Sequence, residues 1–332
     1  MTKAAVVGAG FGGLALCWHL LEQGIEVDLY DKTGIGSEAS GLASGLLHPY
    51  VGEDVNRSWR ATQGMEEAKN LLQIAQQFSI EQVADYKGIL RKTSIEEVTH
   101  TMRRYSIEYG DVEQIEENLF LIRSGIIVNS SVYMKGLYRA CQSQGVQLRQ
   151  QLVEDFHSLK DYDMTFFTVG AGILTFPKIE CLKINFVKGQ VLECLWPSYL
   201  PPLDRALMDK GHIVPTGKGI VQLGATYERE ELDLDPCQEK ALADLYPKAQ
   251  ALIPAWKTIA VRECRAGVRV SRMGHYFPVM KAVADKVWVL TAFGSRGLLY
   301  HGYTAKILVE AAMRGIDPNL ILFKNKPFSY DR

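Results

Sequence analysis

The stretch Ala4-Ala5-Val6-Val7-Gly8-Ala9-Gly10-Phe11-Gly12-Gly13-Leu14 decides the fold. Its apolar start, Ala4 to Val7, suits a parallel strand buried on both faces. Gly8, Gly10 and Gly13 then satisfy GxGxxG, with Gly12 as an extra glycine inside the turn. At that spacing glycines permit a tight turn, a close approach of backbone to a pyrophosphate, and packing of a helix against the strand. Leu14 to Gln23 has helical character, and Gly24 ends it. Ile25 to Tyr30 reads as a second strand, and Asp31 follows 18 residues after Gly13. A carboxylate at an offset of about 20 is placed to accept from ribose hydroxyls. Lys32 is grouped with this site, its ammonium solvated. The βαβ unit is therefore expected to hold a dinucleotide, with N–H groups at the helix start meeting its phosphates. The bland alternative is a tight βα turn with no ligand.

The chain of 332 residues exceeds one average domain, so about two domains are expected. With 37 Lys plus Arg against 38 Asp plus Glu, the net charge of -1 supplies no global field for nucleic acid or membrane. The six cysteines form no CxxC pair, which points away from a zinc cage or a disulfide framework and toward a reducing cytoplasm. No metal site is expected. No run beyond the interrupted apolar start approaches the ~20 apolar residues of a membrane span.

Further along, 34–45 is a loop rich in glycine, serine and alanine, and Asn56 to Phe78 carries apolar residues at helical spacing. The stretch 79–128 is mixed, with short strands near Gly88 to Arg91 and Leu119 to Ile122, and reads as an insertion. A helix at Ser131 to Gln144, strands at Val146 to Arg149 and Met164 to Val169, and a segment at Leu152 to Phe156 return to the first domain. Strands at Gly189 to Leu195, His212 to Pro215, Ile220 to Thr226 and Val261 to Val270, with one helix at Pro236 to Leu252, suit an antiparallel sheet. Val287 to Ala292, Gly294 to Gly297 and Leu298 to Met313 repeat the strand, glycine turn and helix. The expected fold is α/β: a Rossmann-like, glutathione-reductase-type dinucleotide domain formed by 1–78, 129–178 and 285–332. A largely antiparallel α+β substrate domain takes 79–128 and 179–284.

The second glycine-rich run, Glu38-Ala39-Ser40-Gly41-Leu42-Ala43-Ser44-Gly45-Leu46-Leu47-His48-Pro49, resembles the flavin-contacting loop of the D-amino-acid-oxidase-like flavoproteins, the glycine oxidase and sarcosine oxidase type. Further matches follow in family order at 167–172, 188–190, 223–228, 266–269 and 292–298, covering nearly the whole chain. Within the family the motifs are most similar to the oxidoreductase domain of the bacterial enzymes acting on carboxymethylaminomethyl-uridine in tRNA. The resemblance implies noncovalent FAD, with Ser40, Gly41, Gly45 and Leu46 along the pyrophosphate and flavin, Val153 at adenine, and Gly170 near the dinucleotide. It also implies that Gly294, Ser295, Arg296, Gly297 and Leu298 face the pyrimidine end of the flavin, where a helix start and a cation favour negative charge.

By the same resemblance Arg269 holds a substrate carboxylate, a task suited to the planar fork of a guanidinium. An ion pair of Arg269 with Glu263 is the bland alternative, and Arg265 is its neighbouring rival. His48 either touches flavin or substrate, or packs a turn. Tyr300 and His301 read as packing residues ahead of pocket residues, and Tyr227, Tyr276 and Lys281 are weaker candidates. The expected activity is oxidation of the C–N bond of an amino-acid-like amine by hydride transfer to flavin. Two alternatives stand: the same chemistry on a tRNA wobble uridine, which needs a basic rim such as Arg57, Arg60, Arg91, Lys92, Arg103 and Arg104, and a catalytically silent flavin-binding protein. The net charge does not favour tRNA.

Overall fold

The computed structural model describes residues 2–322 except 178, 230–232 and 275. In chain order its elements begin β1 (Lys3–Val7), α1 (Phe11–Glu22), β2 (Glu26–Asp31), β3 (Leu46–Leu47), α2 (Ala61–Gln77), β4 (Ala84–Asp85) and β5 (Ile89–Lys92). They continue α3 (Glu96–Tyr109), β6 (Val112–Glu116), β7 (Leu119–Ile122), β8 (Ile126–Val128), α4 (Ser130–Ser143), β9 (Gln147–Gln150) and β10 (Met164–Phe167). After two short 3₁₀ turns come β11 (Ile184–Leu195), β12 (Ala206–Met208), β13 (His212–Gly217), β14 (Ile220–Gly224), α5 (Gln238–Leu252) and β15 (Ala260–Arg272). The chain closes with β16 (Val279–Ala284), β17 (Val287–Thr291), α6 (Gly297–Arg314) and α7 (Pro318–Leu322).

Two sheets organise the molecule. The first has the order β16-β17-β10-β1-β2-β9, parallel throughout except for the antiparallel edge strand β16. Strand alternation sends Ala4 and Val6 of β1 into a core shared with α1, α2, α4 and α6, and sends Ala5 and Val7 into a second core with Phe156, Phe167 and Phe176. That double burial is why β1 is apolar without a polar face. The second sheet has the order β15-β11-β14-β13-β12-β5-β7-β6 and is antiparallel apart from the β12–β5 pair. It joins strands from 89–122 to strands from 184–272. A three-stranded patch, β3-β8-β4, ties the loop before α2 to the segment entering α4.

The fold class expected from sequence is thus the one observed, with local differences. The helix expected from Asn56 starts at Ala61, because Tyr50 bridges Arg57 and Arg60 takes a left-handed φ of 49° before the first helical residue. Leu152 to Phe156 adds no strand: Val153 and Phe156 turn into the core, while Leu152 is exposed. The insertion contains a 14-residue helix, α3, that the mixed pattern concealed. Residues 323–332, grouped with the dinucleotide domain above, lie outside the described residues. Among the described residues no helix is long and apolar enough to cross a membrane.

Candidate dinucleotide site and substrate pocket

Close approach forces the glycines of the first turn. Gly8 has φ +104°, and a Cβ there would lie 2.5 Å from the Thr168 carbonyl oxygen at the end of β10. A Cβ on Gly13 would collide with the carbonyl oxygen of Gly8, so α1 rests directly on the end of β1. Gly10 is the N-cap of α1, whose first turn contains no acidic residue. N–H groups in a first turn have no intrahelical acceptor; that of Phe11 reaches Ser40 Oγ at 3.3 Å. A Cβ on Gly12 would sit 3.1 Å from the Phe293 ring.

Ser40 brings the second glycine run onto the first. A Cβ on Gly41 would strike the Gly36 carbonyl, and Gly36 N–H donates to Ala9 O at 3.0 Å. Gly45, at φ +78°, faces the Val128 carbonyl with no room for a side chain, and Leu46 follows in β3. Asp31 ends β2 as expected, and its oxygens serve the loop: Oδ2 accepts from Ala9 N–H at 2.8 Å, and Oδ1 accepts from Thr33 and Gly34 N–H at 2.9 and 2.8 Å. Lys32 pairs with Glu38 at 2.9 Å, both half exposed. Val153 is buried in the same core as Tyr30, and Gly170, at φ +53°, opens onto free space as β10 ends. At the far end of the chain Gly294, at φ +57°, begins a 3₁₀ turn through Ser295 and Arg296 into Gly297 and Leu298 of α6. Gly297 lies beside the Phe11 ring, so the uncapped starts of α1 and α6 are neighbours. Two helix starts without acids, lined by glycines that admit a ligand to the backbone, fit the phosphates and ring of FAD.

Register builds the facing wall. Arg91, Met208, His212, Gly224, Val191 and Arg265 stand opposite one another across β5, β12, β13, β14, β11 and β15, so they share one face. Gly267 and Arg269 follow Arg265 on that face, and Gly189 lies opposite Gly267. A Cβ on Gly267 would come within 2.9 Å of Leu42, and His212 Nε2 lies 2.7 Å from Ser44 Oγ. The wall therefore meets the 39–44 loop. Gly189 leaves the room in which the Arg269 guanidinium lies, since a Cβ there would be 2.9 Å from Cζ.

Arg269 donates to Thr226 O at 2.8 Å and lies 5.6 Å from the ring centre of the exposed Tyr227. Among the described residues no carboxylate is within 4 Å of it, and burial pushes its pKa down. Glu263, the bland partner considered above, lies 3.6 Å from Arg265 instead. Arg296 donates from Nε to Ser58 Oγ at 3.3 Å and stacks 4.4 Å from the centre of the exposed Tyr276 ring; burial lowers its pKa as well. His48 is buried with no partner for Nδ1, and burial, then Arg91, Arg296 and His212, push its pKa down to about 3. Burial followed by Arg269 and Lys248 pushes His212 down to about 4.

Arg91 is a correction to the basic rim: it is 2% exposed and donates to the carbonyls of Glu53 and Asp209, at 3.2 and 3.3 Å, because alternation in β5 turns it inward. Lys92 points to the other face and caps α5 at Ala251 and Leu252 O. His301 bonds Tyr133 at 2.6 Å inside the core and Tyr300 is buried there, so both are packing residues. Lys281 reaches Cys181 O. Sequence reasoning gave no role to His212, Ser44 or Ser58: Ser44 lies within the 38–49 run without being singled out, and His212 and Ser58 have no local signature.

The neutral histidines predict a pH dependence of stability. His48, His212 and His301 have folded pKa values of about 3, 4 and 4, all below the ordinary 6.5. Their contribution is fully present above pH 6.5 and is lost as pH falls, because only the unfolded chain takes up the protons. Each ring costs about 1.4 kcal/mol per pH unit until its folded value is reached. Urea denaturation of the FAD-loaded protein should show falling stability from pH 6.5 to 5. That window lies above the range in which Glu22, Asp28 and Glu67, whose pKa values are lowered, begin to lose theirs. Stability unchanged across it would mean the rings are charged in the folded chain.

Comparison with known proteins agrees with this geometry. The family described as "DAO: FAD dependent oxidoreductase" matches residues 3–311. The chain belongs to this family. It is 33% identical over 133 residues to a "tRNA 5-methylaminomethyl-2-thiouridine biosynthesis bifunctional protein" of Idiomarina loihiensis, a match covering 40% of this chain and 21% of that protein. The Campylobacter jejuni protein of the same name is 25% identical over 256 residues, covering 71% of this chain and 39% of that one. The matched stretch thus spans less than half of either relative. Glycine oxidase from Geobacillus kaustophilus has the same fold, with a TM-score of 0.79 at 18% identity over 96% of both chains. The chain is an FAD-dependent oxidoreductase of the DAO type.

Proposed function

We propose that this DAO-family chain oxidises the C–N bond of an amino-acid-like primary or secondary amine. The observation that carries the reading is Arg269: a half-buried guanidinium without a carboxylate partner among the described residues, on a glycine floor facing the 39–44 loop. Bound FAD supplies the hydride acceptor. Gly8, Gly10, Gly12, Gly13, Ser40, Gly41, Gly45 and Leu46 hold it, with Val153 and Gly170 on the adenosine side. Asp31 fixes the loop and, through Oδ2, which accepts from Ala9 N–H and has a further lone pair, is able to take a ribose hydroxyl.

The chain's own groups do the rest. Arg269 fixes the carboxylate and thereby aims the neighbouring Cα–H. The starts of α1 and α6 present N–H dipoles to negative charge. The arginines also disfavour a protonated amine, so the substrate enters with its nitrogen lone pair available to form C=N as the hydride departs; water then hydrolyses the imine. We assign the cofactor to 1–78, 129–178 and 285–332, and substrate recognition to 79–128 and 179–284, although β16 at the end of the latter pairs with β17 and so joins the first sheet.

The relatives' name favours a second reading, the same chemistry on a tRNA wobble uridine. Arg57 stacked 4.4 Å from the centre of Tyr109 and Arg104 stacked 5.3 Å from that of Tyr105 offer it a cationic, aromatic edge. The test is anaerobic mixing of the yellow protein with glycine, N-alkylglycines, D-amino acids and hypomodified tRNA while flavin absorbance is followed. Bleaching by a free amino acid is the expected result, bleaching by tRNA alone selects the second reading, and bleaching by none leaves a silent flavoprotein.

A further inference from the structure

The face of the second sheet away from Arg269 carries Gln190, opposite Ala266, and Cys264, opposite Leu192. There Leu192 is buried with Ala241 and Leu245, so α5 covers this face. The side-chain oxygen of Gln190 meets two cysteines. Oε1 accepts from Cys237 N–H at 2.6 Å and from Cys264 Sγ at 3.6 Å. Cys237 is the N-cap residue of α5 and Cys264 belongs to β15, so one oxygen holds cysteines of separate elements side by side. Cys237 is exposed and its side chain makes no capping bond, while Cys264 is half-buried. They also act on each other: burial, then Cys237, raise the pKa of Cys264, and the Lys188 ammonium acts in the opposite sense.

The neighbouring thiols are placed differently. Cys194 is fully buried on β11 and burial pushes its pKa up to about 12, so it offers an oxidant neither access nor a thiolate. Cys17 and Cys141 are buried in the core of the first sheet, with the same consequence. Gln190 meanwhile ties down the segment that seats Arg269. Its N–H donates to Thr226 Oγ1 at 2.8 Å, its Nε2 donates to Glu228 Oε1 at 2.9 Å, and its carbonyl accepts from Thr226 N–H at 3.1 Å. Thr226 O in turn accepts from Arg269. A change at Gln190 therefore reaches the pocket through Thr226.

We propose that Cys237 and Cys264 form a redox modification site, which closes into a reversible disulfide when a hydroperoxide reaches the exposed Cys237. The Cys237 thiolate attacks the O–O bond and takes one oxygen as a sulfenic acid, and the other oxygen leaves, protonated, as water or an alcohol. Cys264 then attacks that sulfur: an S–S bond forms, the S–O bond breaks, and the oxygen departs as water with the Cys264 proton. The two thiols lose two electrons and the peroxide gains them. A small thiol reverses the bond by exchange. A disulfide sets its sulfurs about 2.05 Å and its β carbons about 3.8 Å apart, so the Gln190 oxygen that both cysteines touch must leave. Its bond to Cys237 N–H goes with it, the Glu228 contact loosens, and Thr226 is freed from its position beside Arg269. The effect on substrate rests on the amine-oxidation reading above, in which Arg269 then holds the acid less well.

The test treats the FAD-loaded protein with an equivalent of hydrogen peroxide, blocks remaining thiols with N-ethylmaleimide, and reads the digest by mass spectrometry. A linked Cys237–Cys264 peptide that dithiothreitol separates is the expected product. Cys264→Ser should instead stop at a Cys237 sulfenic acid that dimedone traps. A link from Cys237 to Cys181, a link from Cys264 to Cys194, or both cysteines recovered alkylated would overturn the proposal. Hydrogen exchange of the 224–229 peptide reads the Gln190 step without any substrate: it should quicken in the oxidised protein, and unchanged exchange would overturn that step. KM for the amine should rise about 3- to 10-fold on oxidation, the range for loss of a single hydrogen bond, and return with dithiothreitol. An unchanged KM beside a linked peptide would sever the disulfide from the pocket. If no amine bleaches the flavin, amine oxidation fails by itself, and the linked peptide and the exchange rates still decide the disulfide.

Discussion

Arg269→Met lowers kcat/KM for amine oxidation by about 10²- to 10⁴-fold, the range for removing a charge-assisted partner that also aims the reacting carbon. Two losses combine. The substrate carboxylate enters a pocket without its bidentate partner, and the Cα–H is no longer directed at the hydride acceptor. Arg269→Lys recovers only part of the activity, because an ammonium offers a point charge where Gly189 has left space for a planar fork. FAD content stays at the wild-type level in both variants, since Arg269 lies on β15 and none of its bonds reaches the glycine turn. Stability holds or rises in Arg269→Met, because a half-buried, unmatched charge is removed. Steady-state kinetics, the ratio of flavin to protein absorbance and urea denaturation read the three outcomes. Wild-type kcat/KM in Arg269→Met would remove Arg269 from the substrate site.

That the cofactor end was legible and the pocket only partly so follows from distance along the chain. Ala4 to Asp31 contains a strand, a turn, a helix, a strand and an acid within one contiguous unit, and each residue type answers a local demand. Even there, Asp31 shows the limit: its position was readable, but its bonds to Ala9, Thr33 and Gly34 N–H depend on where the loop returns. The wall of the pocket is set by register among strands up to about 170 residues apart, such as β5 and β15. Gly189, Gly224 and Gly267 fall in three separate matched stretches, 188–190, 223–228 and 266–269, and become a floor only when the pairing aligns them. Arg91 and Lys92 look like a basic surface pair, yet alternation separates them, one buried against Asp209 and the other capping a helix. His212 stands in an ordinary apolar strand, and its contact with Ser44 crosses 168 residues.

The same contrast between local and distant demands makes Gly13→Ala the most damaging conservative change expected at the cofactor end. On helix propensity alone Ala at this position gains about 1 kcal/mol over Gly. The gain is outweighed, because the added methyl would meet the Gly8 carbonyl oxygen and, at 2.8 Å, Thr168 Oγ1. The first obstacle is backbone, so no rotamer change relieves it, and α1 must move off the end of β1. Overpacking of this kind costs about 3 kcal/mol or more. The displacement also withdraws the Phe11 N–H from Ser40 Oγ. Gly13→Ala is therefore expected to purify colourless, to take up no FAD on reconstitution, and to unfold at lower urea. Gly172→Ala is the matched control: it lies just beyond β10, and its Cβ would meet only Val169, at an ordinary 3.7 Å. It should stay yellow with stability within about 0.5 kcal/mol of wild type. If Gly13→Ala binds FAD stoichiometrically, the close seating of α1 on β1 is not what holds the pyrophosphate.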